Sequence, residues 1–235
     1  MIFLSCSRKT VELSRVSGQN TSVLYSGNAA PKIDSIIKPY KDSIDRTMHA
    51  VLCYSSTDLY KAQPEGTLGN LVADAVLHAA KAKDSTVNIS LVNYGGVRLP
   101  FVSAGPITLE KVYEIQPFEN EIVLIDLRGP EVASLLDAVA AKGGWPVAGV
   151  TFLISDNKAV NIVIGKTPFD IRLKYKLALS DYVANGGDNM SMLKNIAQEK
   201  IGVKMRDALI EYLQTIGTAN DSLRLEPEDR IQAEE

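Results

Sequence analysis

Three short segments carry the side chains best suited to chemistry. They are Asn93-Tyr94-Gly95-Gly96-Val97-Arg98, then Gln116-Pro117-Phe118-Glu119-Asn120, then Asp181-Tyr182-Val183-Ala184-Asn185-Gly186-Gly187-Asp188. In the first, Gly95 and Gly96 let the backbone turn sharply or come close to a ligand. The Asn93 amide both donates and accepts, as the edge of a nucleobase requires of a partner. Arg98 is a planar fork suited to phosphate or carboxylate. In the third, Asn185-Gly186-Gly187 makes a turn, and Asp188 is an acceptor for a vicinal diol such as ribose. Phe118 and Tyr182 are aromatic rings beside irregular backbone. Two such rings about a flat base contribute roughly 1–3 kcal/mol per stacked ring. Taken singly, each segment reads more simply as a tight turn with a solvated arginine, an Asn-Gly turn, or the edge of a core.

Other chemistries lack their residues. Two-metal phosphoester hydrolysis needs a dense set of Asp, His and Asn ligands, whereas this chain has only His49 and His78. No HExxH, CxxC, GxSxG or GxxxxGK[ST] pattern occurs. The chain is therefore expected to hold no catalytic residue, metal site or cofactor of its own.

The elements that must position these segments follow from apolar spacing. Ile33, Ile36, Ile37, Tyr40, Ile44 and Met48 recur at three and four, predicting a helix over 31–49. Val51–Tyr54 reads as a strand. Leu68, Leu71, Val72, Ala75, Val76 and Ala79 form one face of a second helix, with Thr67 as its candidate cap. Val87–Val92 reads as a strand entering the first glycine loop, and Ile122–Leu127 as another, followed by a helix opened by Pro130. Strands around Val150–Ile154 and Val160–Ile164 are joined at Asp156-Asn157, and a further strand lies near Leu173–Leu179. A last helix spans about Val203–Ile216, and the acidic tail is expected to be mobile. The fold class is α/β of the α+β type, with mixed sheets covered by helices rather than a regular βαβ repeat.

The three segments, together with Gly69-Asn70-Leu71-Val72-Ala73-Asp74-Ala75, stand in an order that resembles the C-terminal domain of the 5'-nucleotidase and UDP-sugar hydrolase family. The likeness covers about residues 31–232. It implies a domain that holds the nucleoside part of a substrate, with Phe118 and Tyr182 sandwiching the base and Asp188 on the ribose hydroxyls. It assigns Asn93 to the base edge and Arg98 to phosphate, with Gly95, Gly96, Asn185, Gly186 and Gly187 shaping the loops. Tyr182 stands where phenylalanine is common, and Tyr94 where many members have a third glycine. Where members tend to carry a phosphate-gripping arginine before the Gly-Asn-Leu helix, this chain has Lys61, a point charge without the fork. The metals and catalytic residues of the family belong to a separate metallophosphatase half. The resemblance thus implies a nucleoside- or nucleotide-binding partner to a metallophosphatase chain, with divalent metals only in that partner. An independent envelope nucleoside-binding lipoprotein without catalysis is the alternative.

Bulk properties agree. The chain has 235 residues, with 25 basic and 28 acidic residues and a net charge of −3. That balance argues against nonspecific nucleic-acid binding, which needs a basic surface. Residues 1–30 read as a signal remnant or tether, and 31–235 as one domain. Met1–Cys6 is a short apolar run ending in Ser-Cys before a polar stretch, so Cys6 is a candidate lipidation site. With it go a bacterial envelope or periplasmic location and contact with membrane only through that anchor. Cys53 reads as a small core residue.

Overall fold

The computed structural model describes residues 31–219 and 221–234, so Cys6 and the expected tether lie outside the described residues. Elements in chain order are α1 (Pro31–Met48), β1 (Val51–Ser55), β2 (Leu59–Tyr60), α2 (Thr67–Lys83), β3 (Val87–Leu91), β4 (Phe101–Val102), β5 (Gly105–Thr108), α3 (Leu109–Ile115), β6 (Glu121–Arg128) and α4 (Gly129–Ala140). They continue as β7 (Val147–Ala148), β8 (Val150–Ser155), β9 (Lys158–Ile164), β10 (Thr167–Pro168), β11 (Lys174–Ser180), α5 (Asp181–Ala184), β12 (Gln198–Lys204), α6 (Met205–Thr218), β13 (Ser222–Leu223) and β14 (Ile231–Ala233).

A five-stranded mixed sheet, β12-β6-β11-β3-β7, organises the fold. Its strand β6 alternates strictly between two cores. Ile122 and Leu124 face a cluster built from α2 and α6, while Val123, Ile125 and Leu127 face a second cluster with α4. A strand buried on both faces reads as a continuous apolar run, which is why β6 is conspicuous in the sequence. The second cluster also takes Val150, Phe152 and Ile164 from a smaller sheet, β10-β9-β8-β14. Its β8–β9 hairpin turns through Asp156 and Asn157, both at positive φ, a conformation that, glycine aside, these two residue types adopt most readily.

The decisive geometry is at one edge of the central sheet. Strands β3 and β11 are parallel neighbours, with Leu91 opposite Leu179. Strand β6 runs antiparallel to β11, with Ile122 opposite Ser180. The loops after β3 and β11 and the loop before β6 therefore open at the same end. Ligands of α/β sheets gather at such carboxyl ends.

Several expectations are corrected. The α1 helix forms as its spacing predicts, with Ile33, Ile36, Ile37, Tyr40 and Ile44 exposed along it. Periodicity defines a face without defining what covers it. Thr67 does not cap α2: the cap position is Gly66, and the Thr67 hydroxyl accepts the Tyr60 N–H at 2.9 Å. Strand β12 went unread because its residues are largely polar, as suits the edge of a sheet. The tail is built in, not loose. Arg230 is buried, forms a bidentate pair with Asp74 at 2.8 Å, and donates to the Val147 carbonyl. Glu65 accepts from the Glu228 and Arg230 backbone N–H groups and from Asn70 Nδ2. Asn70, in the Gly-Asn-Leu motif, thus orients the carboxylate that fastens the tail.

Candidate functional site

Beyond the ends of β3, β11 and β6 lies a cavity of about 390 Å³ lined by Asn93, Gly95, Gly96, Arg98, Phe118, Asn120, Tyr182 and Asp188. That volume is in the range of small-molecule sites. Seven of its eight lining residues are ones that residue type and the family resemblance together single out in the sequence. The eighth, Asn120, closes the Pro-Phe-Glu-Asn segment but was not singled out, because no local pattern distinguishes it from a solvated loop amide. Asn185, Gly186 and Gly187 do not line the cavity. They form the turn behind it, where the Asn185 side-chain oxygen accepts from Gln198 Nε2 at 3.2 Å.

The first loop leaves β3 as a single 3₁₀ turn over Tyr94–Gly96, closed by the Gly96 N–H on the Asn93 carbonyl at 2.8 Å. A Cβ on Gly96 would lie 2.7 Å from Asn93 Oδ1. Glycine at this position is what lets the largely buried Asn93 side chain lie across its own turn.

The third loop leaves β11 through α5, which Ser180 caps by accepting the Val183 N–H. Its end is strained: Asp188 adopts φ 50° and ψ 37°, a left-handed conformation that costs a non-glycine residue on the order of 1 kcal/mol. Three hydrogen bonds hold it there. Asn93 Nδ2 donates to Asp188 Oδ2 at 2.7 Å, Tyr182 Oη donates to Oδ1 at 3.0 Å, and the Asp188 N–H donates to Tyr182 Oη at 3.2 Å. A carboxylate so held keeps free lone pairs on both oxygens, so it can still accept from two adjacent hydroxyls. A Cβ on Gly187 would lie 2.5 Å from the Tyr182 ring. Glycine thus lets the ring rest on the turn, and Tyr182, 45% exposed, lines the cavity.

Phe118 stands on the loop between α3 and β6 and is 41% exposed, with no ring stacked on it among the described residues. The Arg98 guanidinium lies 5.8 Å from its ring centre, and Arg98 Nη1 donates to the Gly95 carbonyl at 3.3 Å. Lys61 approaches from β2, its Nζ 4.0 Å from the Tyr94 ring centre. Burial first, and the Arg98 charge second, push its ammonium below the ordinary lysine range. Arg98 lines the cavity, whereas Lys61 does not.

His49 and His78 are both exposed. His49 pairs with the Asp45 carbonyl, and His78 lies against Tyr212 with ring centres 5.4 Å apart. Among the described residues no group of three or more His, Cys, Asp and Glu side chains is placed to hold a metal ion. Among the described residues no helix is long and apolar enough to cross a membrane.

Comparison with known proteins agrees with this architecture. The chain matches the family "5'-nucleotidase, C-terminal domain" over residues 45–195. It is 35% identical to a 5'-nucleotidase of Vibrio parahaemolyticus over 126 residues, which are 52% of this chain and 21% of that protein. Protein UshA of Yersinia enterocolitica is 30% identical over 192 residues, 77% of this chain and 34% of that protein. The crystal structure of a 5'-nucleotidase precursor from Thermus thermophilus superposes with a TM-score of 0.72 at 26% identity, covering 85% of this chain and 42% of that one. This chain thus spans between a fifth and a third of the length of these curated relatives. The matched span holds all three loops and the sheet edge that gathers them, and on that ground the chain belongs to the 5'-nucleotidase C-terminal domain family.

Proposed function

We propose that this chain binds the nucleoside part of a nucleotide and presents it to a metallophosphatase carried on another chain. Phe118 and Tyr182 take the base between them, Asp188 accepts from the ribose hydroxyls, and Asn93 orients the carboxylate and the base edge. Asn120 lines the same wall. Arg98 takes the phosphate, with Lys61, over the Tyr94 ring, as a second cation. The observation that carries this reading is the convergence of two half-exposed aromatic rings and one aspartate, strained in its backbone and hydrogen-bonded at both carboxylate oxygens, on a single cavity, from loops far apart in sequence. The names of the relatives support hydrolysis of nucleotides as the process served. An envelope location, with Cys6 as lipid anchor, belongs to the same reading.

Calorimetric titration with adenosine, uridine and their monophosphates tests it. Removing one stacking ring in Phe118→Ala should weaken binding about tenfold or more. A nucleoside panel without binding up to about millimolar, worth roughly −4 kcal/mol, would overturn the reading. The partner is tested separately, by adding a metallophosphatase with divalent metal and measuring phosphate release from nucleoside monophosphates. Tight nucleoside binding without stimulated turnover would favour an independent binding protein instead.

A further inference from the structure

Phe118 is not held by its own packing: its ring is half-exposed and its backbone lies in the loop between α3 and β6. Three consecutive residues at the β12–α6 junction hold the backbone of this loop from outside. The Met205 N–H donates to the Asn120 carbonyl at 2.9 Å, and Lys204 pairs with Glu119. The third is Arg206, whose side chain is 6% exposed. Its Nη1 lies 3.4 Å from both the Pro117 and the Phe118 carbonyls, its Nη2 pairs with Glu119, and its guanidinium stacks 4.2 Å from the Tyr113 ring centre. One buried fork therefore touches three successive residues of the loop, with Phe118 in the middle.

The arrangement is poor as a stabilising device. Arg206 Nε and the neighbouring Gln116 Nε2 are buried without a hydrogen-bond partner among the described residues, and an unmet buried donor costs free energy. Its ion-pair partner Glu119 is 63% exposed, where pairs contribute little. What the guanidinium does supply is planar, multidentate geometry that a flexible ammonium cannot copy.

We propose that Arg206 is a positioning residue for base recognition, holding the Pro117–Glu119 backbone so that the Phe118 ring forms one wall of the cavity. This rests on the nucleoside-binding reading for its ligand, though not for its geometry. Arg206 does not line the cavity and acts through Phe118.

The test compares Arg206→Gln and Arg206→Lys in the full chain, using adenosine monophosphate and ribose 5-phosphate as probes with and without a base. Arg206→Gln should weaken adenosine monophosphate about tenfold, the scale of one misplaced stacking ring, while ribose 5-phosphate changes less than about twofold. Arg206→Lys, which retains the charge but not the fork, should restore little of the loss. In a Phe118→Ala background the Arg206→Gln change should cost less than about twofold more, because residues that act as a unit are not additive. Equal weakening of both probes, full rescue by lysine, or full additivity with Phe118→Ala would overturn the proposal. Hydrogen exchange decides the geometry even if the wild-type chain binds neither probe, an outcome that sinks only the nucleoside reading. Exchange at the bond that clasps the loop, the Met205 amide on the Asn120 carbonyl, should rise about tenfold or more in Arg206→Gln with β6 unchanged. Unchanged exchange there would sink the positioning role.

Discussion

At the scale of single residues, the point of interest is the tyrosine at 182. A phenylalanine there would stack equally well, but the hydroxyl adds a hydrogen bond to Asp188 Oδ1 and accepts one from the Asp188 N–H. Both bonds bear on a residue held in a left-handed conformation. Tyr182→Phe should therefore loosen Asp188 while sparing the base wall. A hydrogen bond to a charged group contributes about 1.5–3 kcal/mol, and Asn93 still holds the other oxygen. The expected result is a loss of about three- to tenfold in affinity for uridine, with 2',3'-dideoxyuridine nearly unaffected. Equal loss for both ligands would show that the hydroxyl serves the base and not the diol. Asp188→Asn is the cleaner partner variant, because asparagine tolerates the same backbone, whereas alanine would confound strain with lost acceptors.

At the scale of elements, the C-terminal segment ties α2 to the edge of the smaller sheet. Arg230 is 9% exposed and Asp74, on α2, 23%, so the pair is shielded enough for its loss to matter. Strand β14 then pairs parallel with β8, Ile231 opposite Phe152, and Ile231 joins the second core. Removing one partner of a shielded pair leaves the other uncompensated, at about 3–5 kcal/mol. Arg230→Ala should lower stability by about 3 kcal/mol, or roughly 10 °C in a thermal melt. Asp74→Leu added to it should recover part of that loss. A single variant that melts within about 2 °C of the wild type would mean that β14 holds without its latch.

At the scale of the whole molecule, Cys53 reports on opening of the fold. It is 2% exposed, and burial pushes its thiol up to about 11. The thiolate is the reactive species, so in a Cys6→Ser chain at pH 8 a disulfide reagent should label Cys53 only as fast as the structure opens. Denaturant should accelerate labelling, and labelling within seconds in buffer would show that the α2–α6 side is open in the native state. The same shift has a sign for stability. The unfolded chain releases the thiol proton near its ordinary value of about 8.5, and the folded chain retains it until about 11. This group therefore lowers stability as pH rises through that window.

What the sequence determined and what the tertiary structure decided divide by physical range. Apolar period marks α2, α4 and β6, because a face or a double-sided burial leaves its imprint within one element. Asp156-Asn157 marks its hairpin because its backbone needs are local. Residue type and the family resemblance together marked Asn93, Arg98, Phe118, Tyr182 and Asp188. Sequence alone could not read β12, whose polar edge carries no apolar signal, nor the tail, whose anchor Arg230 finds its partner Asp74 across the fold. It could not show that Arg206 underlies Phe118, since that contact joins residues 88 apart. Nor could it show that Asn93 and Tyr182 hold the two oxygens of Asp188. Those bonds exist because β3 and β11 are parallel neighbours that end at one edge of the sheet. Strand order is a long-range property that no local spacing encodes.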